Sequence, residues 1–186
     1  MSETERVSER GESAVVERFG VRLYKEKFHF AAAHFLVFPE GDREELHGHN
    51  YAVRLELSGP VGAGEMVANF SRLKPLVQEA CDALDHRMLI PAESPDLTIE
   101  EREGEVEMRL ADGARFVFPR RDVVLLPTRS TTTERLSEWI LARLAEGLAA
   151  QLPELEWSAL RIEVEESGGQ CGWHERRRDS SSGEEG

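Results

Sequence analysis

Residues 43–58 read REELHGHNYAVRLELS. From His47 onward the chain alternates: His47, His49, Tyr51, Val53, Leu55 and Leu57 share one parity, while Asn50, Arg54 and Glu56 fall on the other. A period of two is the pattern of a half-buried β-strand, because successive side chains leave opposite faces of a sheet. The spacing predicts a strand over 47–58 with both histidines on its apolar, core-facing side. Packing alone gives no reason to place two imidazoles there.

Working outward, 21–34 predicts an earlier strand with Tyr24, Phe28, Phe30, Ala32 and His34 on one face. A helix is expected over 71–84, capped by Asn69 or Ser71. Pro75 falls in its first turn, where proline is tolerated, and Leu73, Leu76, Val77, Ala80 and Leu84 form its apolar stripe. Asp112-Gly113 between 105–110 and 114–118 is a hairpin signal. A second amphipathic helix is expected over 133–148, with Leu136, Trp139, Ile140, Leu144 and Leu148 inward, and a last strand over 159–166. This order of elements predicts an α+β domain.

The 186 residues suffice for one domain with a full core. Polar, charged, Ser/Gly-rich composition predicts disordered tails at 1–18 and 175–186, leaving a single folded domain over 19–174. Net charge is −13; the first 18 residues hold five acidic and three basic side chains and the last twelve four and three, so the folded part carries about −10. Such a surface disfavours nucleic acid, which needs basic patches. No apolar run reaches the roughly 18 to 20 residues of a membrane helix, and the acidic start has no signal-peptide core. Cys81 and Cys171 do not make a disulfide framework. A cytoplasmic location is the default expectation.

On a strand, residues two apart project the same way about 6.6 to 6.8 Å apart. His47 and His49 can therefore converge on one metal ion, with His34, at the end of the preceding strand, as the natural third ligand. Three histidines and an open position describe a catalytic zinc site. The alternative is that each histidine is a separately satisfied polar residue, which three aligned imidazoles make the weaker account. Asp85-His86, after the first helix, is either a helix-terminal charge pair or a general acid/base pair. Glu166 follows Leu160, Ile162 and Val164 in parity, so it is either a solvated strand end or a carboxylate that must meet a donor.

Together these segments resemble the 6-pyruvoyltetrahydropterin synthase family, which includes the 6-carboxytetrahydropterin synthases. FHFAAAHF, LHGHNY, GEMVANFSRLK, ALDHRML, STTTERL and IEVEES occur in the family's order and span residues 28 to 167. The resemblance implies a T-fold: an antiparallel sheet with two helices packed on one face, associating into a barrel. Homo-oligomers follow, trimers and then hexamers built as a dimer of trimers, with active sites at subunit interfaces. It implies Zn2+ on His34, His47 and His49, and a proton relay of Asp85 and His86. Glu166 would grip the pterin ring, whose amino group and ring N–H suit a bidentate carboxylate. Thr132 would line the same pocket, and Glu134 would be helix-terminal.

The sequence also departs from the family pattern. Many members have a cysteine four residues before the first histidine of HGH; here that position is Arg43. REELHGHNY matches a variant class with a glutamate at this point, which makes Glu44 the corresponding acid. That class is associated with cleaving the side chain of 7,8-dihydroneopterin triphosphate to 6-hydroxymethyl-7,8-dihydropterin, a folate precursor. The alternatives are a 6-pyruvoyl- or 6-carboxytetrahydropterin synthase, or a catalytically inactive pterin- or metal-binding protein. A cupin-like metal enzyme also uses His-x-His, but the nearest acid, Glu56, has the opposite parity. Arg72, Lys74 and Arg129 are the candidates for a triphosphate site. The Asp112-Gly113 hairpin resembles an insertion without a catalytic residue.

Overall fold

The alternation in the two predicted strands is realised as a long antiparallel pair, β1 (Phe19–His34) and β2 (His47–Gly59). They belong to a computed structural model that describes residues 17–62 and 64–178. The chain continues through α1 (Phe70–Asp82), β3 (Arg87–Pro91), β4 (Leu97–Arg102), β5 (Glu105–Leu110) and β6 (Arg115–Pro119). It ends with β7 (Val123–Leu126), α2 (Thr133–Gln151), β8 (Ala159–Ser167) and β9 (Gln170–Arg177). Most of the two expected tails, 1–16 and 179–186, lies outside the described residues. Among the described residues no helix is long and apolar enough to cross a membrane.

Six strands form one sheet in the order β7-β3-β1-β2-β8-β9. The inner face is apolar: Phe28, Phe30 and Ala32 of β1, Tyr51, Val53, Leu55 and Leu57 of β2, and Leu160, Ile162 and Val164 of β8 are buried in one core. Both helices cover this face, α1 through Leu73, Leu76, Val77 and Ala80, and α2 through Leu136, Ile140, Leu141, Leu144 and Leu148. Leu55, Leu57 and Ile162 are wholly buried, and each such side chain contributes roughly 1.5–3 kcal/mol of hydrophobic stabilisation. The outer face of β2 and β8 is polar, with Arg54 bridging Glu163 and Glu165 across the strands. Asn69 caps α1, its side-chain oxygen accepting from the Ser71 amide at 2.9 Å.

The antiparallel sheet that the resemblance implied is formed by β1, β2, β8 and β9, and two parallel strands extend it into a mixed sheet. After β2 descends, α1 carries the chain back up the sheet, so β3 enters beside Ala32–Ala33 running parallel to β1, and β7 pairs parallel to β3. Both strands are short apolar runs without alternation, as expected where two faces are covered. The predicted hairpin is present, and β4 joins it in a separate three-stranded sheet, β4-β5-β6. Val106, Met108 and Leu110 of that sheet pack against Phe35, Met88, Ile90 and Val123 in a second apolar cluster. At the C-terminus, β9 pairs with β8 as far as Arg177, so the chain stays in the sheet past residue 174.

Gly172 of β9 lies directly under the start of α2: a Cβ there would stand 2.7 Å from the Glu134 amide nitrogen and 2.8 Å from the Thr133 carbonyl carbon. Backbone cannot yield cheaply, so Gly172→Ala is expected to destabilise the protein by about 1–3 kcal/mol, read as a lower urea midpoint. Gly168→Ala, with open space around it, serves as the control and should be near neutral.

Candidate metal centre

Strand register builds the site. β1 and β2 pair His34 with His47 and Ala32 with His49. β2 and β8 pair Ala52 with Glu165, and the next step of that register sets Glu166 beside Tyr51. The four side chains His34, His47, His49 and Glu166 therefore meet at the end of the inner face, past the reach of the helices. One ligand atom from each lies within 4.8 Å of the others. The imidazole rings stand 4.7–5.3 Å apart, centroid to centroid. His34, the innermost, is 1% exposed.

The partners of the ring nitrogens decide what this cluster can hold. His47 Nδ1 lies 2.7 Å from the Glu45 carbonyl oxygen, an acceptor only, so Nδ1 carries the proton and Nε2 keeps its lone pair. His34 Nδ1 lies 3.3 Å from the Thr131 hydroxyl, which donates onward to the Phe35 carbonyl at 3.4 Å. That chain again leaves Nε2 unprotonated. Nε2 of His34 and of His49 are buried without a hydrogen-bond partner, although Glu166 Oε1 stands 3.3 Å and 2.9 Å from them. Ligands of one tetrahedral ion at bond lengths of about 2.0–2.1 Å lie about 3.3 Å apart. Oriented, unprotonated nitrogens with nothing to accept from are the donor set of a metal centre. Burial, outweighing the attraction of Glu166, also lowers the His34 pKa, with His47 and His49 adding to the effect, so the ring is held neutral.

Glu44 enters through the loop joining β1 and β2. Val37 bridges Arg43, whereas His34 pairs with His47, so the β2 side holds one residue more between the two pairs. Glu44 there accepts from the Leu36 amide at 3.1 Å through its carboxylate and donates its own amide to the Leu36 carbonyl at 2.9 Å. Its charge is felt at Tyr51, whose pKa is raised by burial first, then by Glu166, then by Glu44. The Tyr51 ring meets His34 and His49 edge-on, and its buried hydroxyl has no hydrogen-bond partner. Arg43 turns the other way. Its guanidinium lies against the stacked Phe35 and Phe116 rings, 5.4 Å from each centroid, and donates to the Glu44 carbonyl at 2.6 Å.

Asp85 and His86 make no contact with the cluster; they sit at the β3 side of β1. Asp85 Oδ1 accepts from the Ala31 amide and Oδ2 pairs with His86 Nδ1, both at 2.8 Å, leaving His86 Nε2 free for proton exchange. The Ala31 amide, more than His86, lowers the Asp85 pKa. His86 has a φ of +56°, a left-handed conformation that costs energy for a non-glycine residue. A cleft of about 490 Å³ is lined by both His49 and His86, together with Asn50, Arg87 and Phe118.

Two contacts escaped the sequence reading. Thr131, buried, holds His34, while Thr132 is the half-buried N-cap position of α2 and its hydroxyl caps nothing. Tyr51 looked like an ordinary core residue, yet its ring packs against His34 and His49 and it feels the charge of both Glu166 and Glu44. Neither cysteine is placed to act as a base: Cys81 is buried in α1 with its thiol pushed up to about 12, mainly by burial, and Cys171 is exposed on β9.

The sequence model of the family described as 6-pyruvoyl tetrahydropterin synthase matches residues 22–177. A 6-carboxy-5,6,7,8-tetrahydropterin synthase of Haemophilus influenzae is 33% identical over 125 residues, covering 63% of this chain and 78% of the relative. The crystal structure of 6-pyruvoyl tetrahydropterin synthase from Plasmodium vivax superposes with a TM-score of 0.82 at 32% identity, covering 88% of this chain and 100% of the other. A form of that Plasmodium protein, with a glutamate described as a catalytic residue changed to alanine, superposes equally well. With its fold, histidine cluster and nearly whole-length match in agreement, the chain belongs to the 6-pyruvoyl tetrahydropterin synthase family.

Proposed function

We propose that the protein is a zinc-dependent lyase that cleaves the side chain of 7,8-dihydroneopterin triphosphate to give 6-hydroxymethyl-7,8-dihydropterin. The observation that carries this reading is the convergence of three imidazoles, two of them oriented by hydrogen bonds, with a glutamate, in place of a thiol, on the loop beside them. The Plasmodium vivax relative, which also has a glutamate described as catalytic, supports giving that role to Glu44.

His34, His47 and His49 would hold the ion through Nε2. Bound there, zinc supplies Lewis acidity that lowers the pKa of a substrate hydroxyl. Glu44 takes the proton from the hydroxyl on the second side-chain carbon. The bond between the first and second carbons breaks, leaving an aldehyde that carries the triphosphate. Its electron pair passes to the first carbon and is spread into the dihydropterin ring, and a proton returned to that carbon completes the hydroxymethyl product. No redox change occurs. The Asp85–His86 pair is the second proton-handling group, Asp85 orienting the imidazole and leaving Nε2 to donate or accept. Glu166 grips the pterin ring, and Thr132 lines the same pocket. The edge strands β7 and β9 have no further partner among the described residues, which favours association through the sheet.

Purified protein is expected to hold about one zinc per chain, since three imidazoles and an open position make one such site. Stoichiometric metal in a His47→Ala/His49→Ala double variant would show that the site lies elsewhere. Glu44→Gln should keep zinc and pterin binding and lose turnover by about 100-fold or more; a catalytic constant within a few-fold of wild type makes Glu44 a bystander. Glu166→Gln should weaken pterin binding with zinc retained, because an amide cannot accept both ring donors. Loss of zinc in that variant would instead make Glu166 the fourth ligand, as its distance to His49 allows. Light scattering at micromolar concentration should give an oligomer; a monomer mass would contradict assembly through the sheet.

A further inference from the structure

The sequence suggests Arg72, Lys74 and Arg129 for a phosphorylated tail. Arg72, however, is engaged by Glu154 and by the Gln151 carbonyl, and it lies at the start of α1, which is at the Gly59 end of the sheet. Another group of cations adjoins the cleft that holds His49 and His86. A cleft of about 750 Å³ behind β3 and β7 is lined by Arg87, Arg120 and Arg121 and by no carboxylate. Arg87 also lines the neighbouring cleft that holds His49 and His86, so the two clefts meet at its side chain.

From this arrangement we propose that Arg87, Arg120 and Arg121 form a polyphosphate subsite that takes the triphosphate tail of the substrate; the assignment of the tail rests on the proposed function above. Arg120 spends Nε on Glu101 and Nη1 on the Val123 carbonyl, which fixes its direction and leaves Nη2. Arg121 meets Asp122 through Nε at 3.5 Å, leaving both Nη groups. Arg87 has no ion-pair partner among the described residues, although the chain carries 36 acidic side chains for 23 basic ones. Two guanidinium forks, those of Arg87 and Arg121, with the remaining Nη2 of Arg120 around one cleft, suit the spaced oxyanions of a linear polyphosphate. On a molecule with a net charge of −13, a local cationic cleft is also what lets a polyanion approach. The Gly104 carbonyl accepts the Arg120 amide at 2.7 Å, which ties the arginine pair to the turn between β4 and β5.

The test uses zinc-loaded protein and three non-reacting probes: inorganic triphosphate, neopterin and neopterin triphosphate, with dissociation constants from calorimetry at low salt. Wild type should bind inorganic triphosphate, and Arg87→Ala/Arg121→Ala should weaken it at least about tenfold, while the remote Arg72→Ala leaves it unchanged. Arg121→Ala alone changes an exposed side chain, so its partial loss, with Arg87→Lys retaining part of the affinity, separates the effect from misfolding. Equal binding of inorganic triphosphate by wild type and the double variant overturns the subsite. The tail assignment further requires neopterin triphosphate to bind wild type at least about tenfold tighter than neopterin, with the gap closing in the double variant. A gap that survives the double variant overturns that assignment. Failure of wild type to bind neopterin, with triphosphate binding intact and arginine-dependent, removes the pterin reading and supports the cleft as a site for another polyphosphate.

Discussion

Everything at the site depends on the pairing of β1 with β2. In the register found, His34 stands opposite His47 and Ala32 opposite His49, so three imidazoles share one face and one end of the sheet. A slip of a single residue would turn His47 and His49 to the outer face and, with them, Tyr51, Val53, Leu55 and Leu57 into water. The apolar half of β2 therefore enforces the geometry of its polar half. The core is what holds the histidines together, at the cost of keeping His34 almost wholly buried.

That burial has an electrostatic consequence. An imidazole taken from water loses affinity for its proton, and a neutral imidazole with a free Nε2 is what a metal requires. Thr131 and the Glu45 carbonyl complete the arrangement by occupying the other ring nitrogens of His34 and His47. Glu166 works against it, since a carboxylate nearby favours the protonated ring. Glu166 thus faces ring nitrogens of His34 and His49 that have no hydrogen-bond partner, and a metal ion between them would satisfy both.

Much of this was legible in the sequence, and the exceptions have physical causes. β1, β2, β8 and both helices each expose one face and bury the other, so their periodicity marks them. β3 and β7 are short apolar runs that carry no such signal, which is why neither was expected as a strand. β9 is a polar edge strand held by its ladder with β8, and composition alone made it look like a tail. His34, His47 and His49 followed from parity within strands. Thr131 did not: in a run of three threonines only the start of α2 at Thr133 decides which hydroxyl turns inward. Glu44 was singled out by family resemblance, and its position follows from a long-range bridge, Val37 to Arg43, that no local pattern announces. The hairpin expected to be a bystander reaches the site loop through Phe116.

Arg43 shows how the loop copes without a thiol. A guanidinium remains charged at any working pH and cannot act as a base, and this one lies against the stacked Phe35 and Phe116 rings with Asp112 3.9 Å from its Nε. The position where the family resemblance implies a thiol serves here as a tie between the loop and the β5–β6 hairpin. Strict alternation from His47 would put Glu44 on the face away from the histidines. The extra residue between the two registers relaxes that alternation, and Glu44 ends close enough to Tyr51 for its charge to be felt there. The Leu36 amide that meets its carboxylate fixes the direction in which it points. An ionised carboxylate is a weaker base than a thiolate, so in the proposed reaction it removes a proton only from a hydroxyl that has already been made acidic. Glu44 can act there only as a partner of the three histidines, and the same loop that delivers it leads directly into His47.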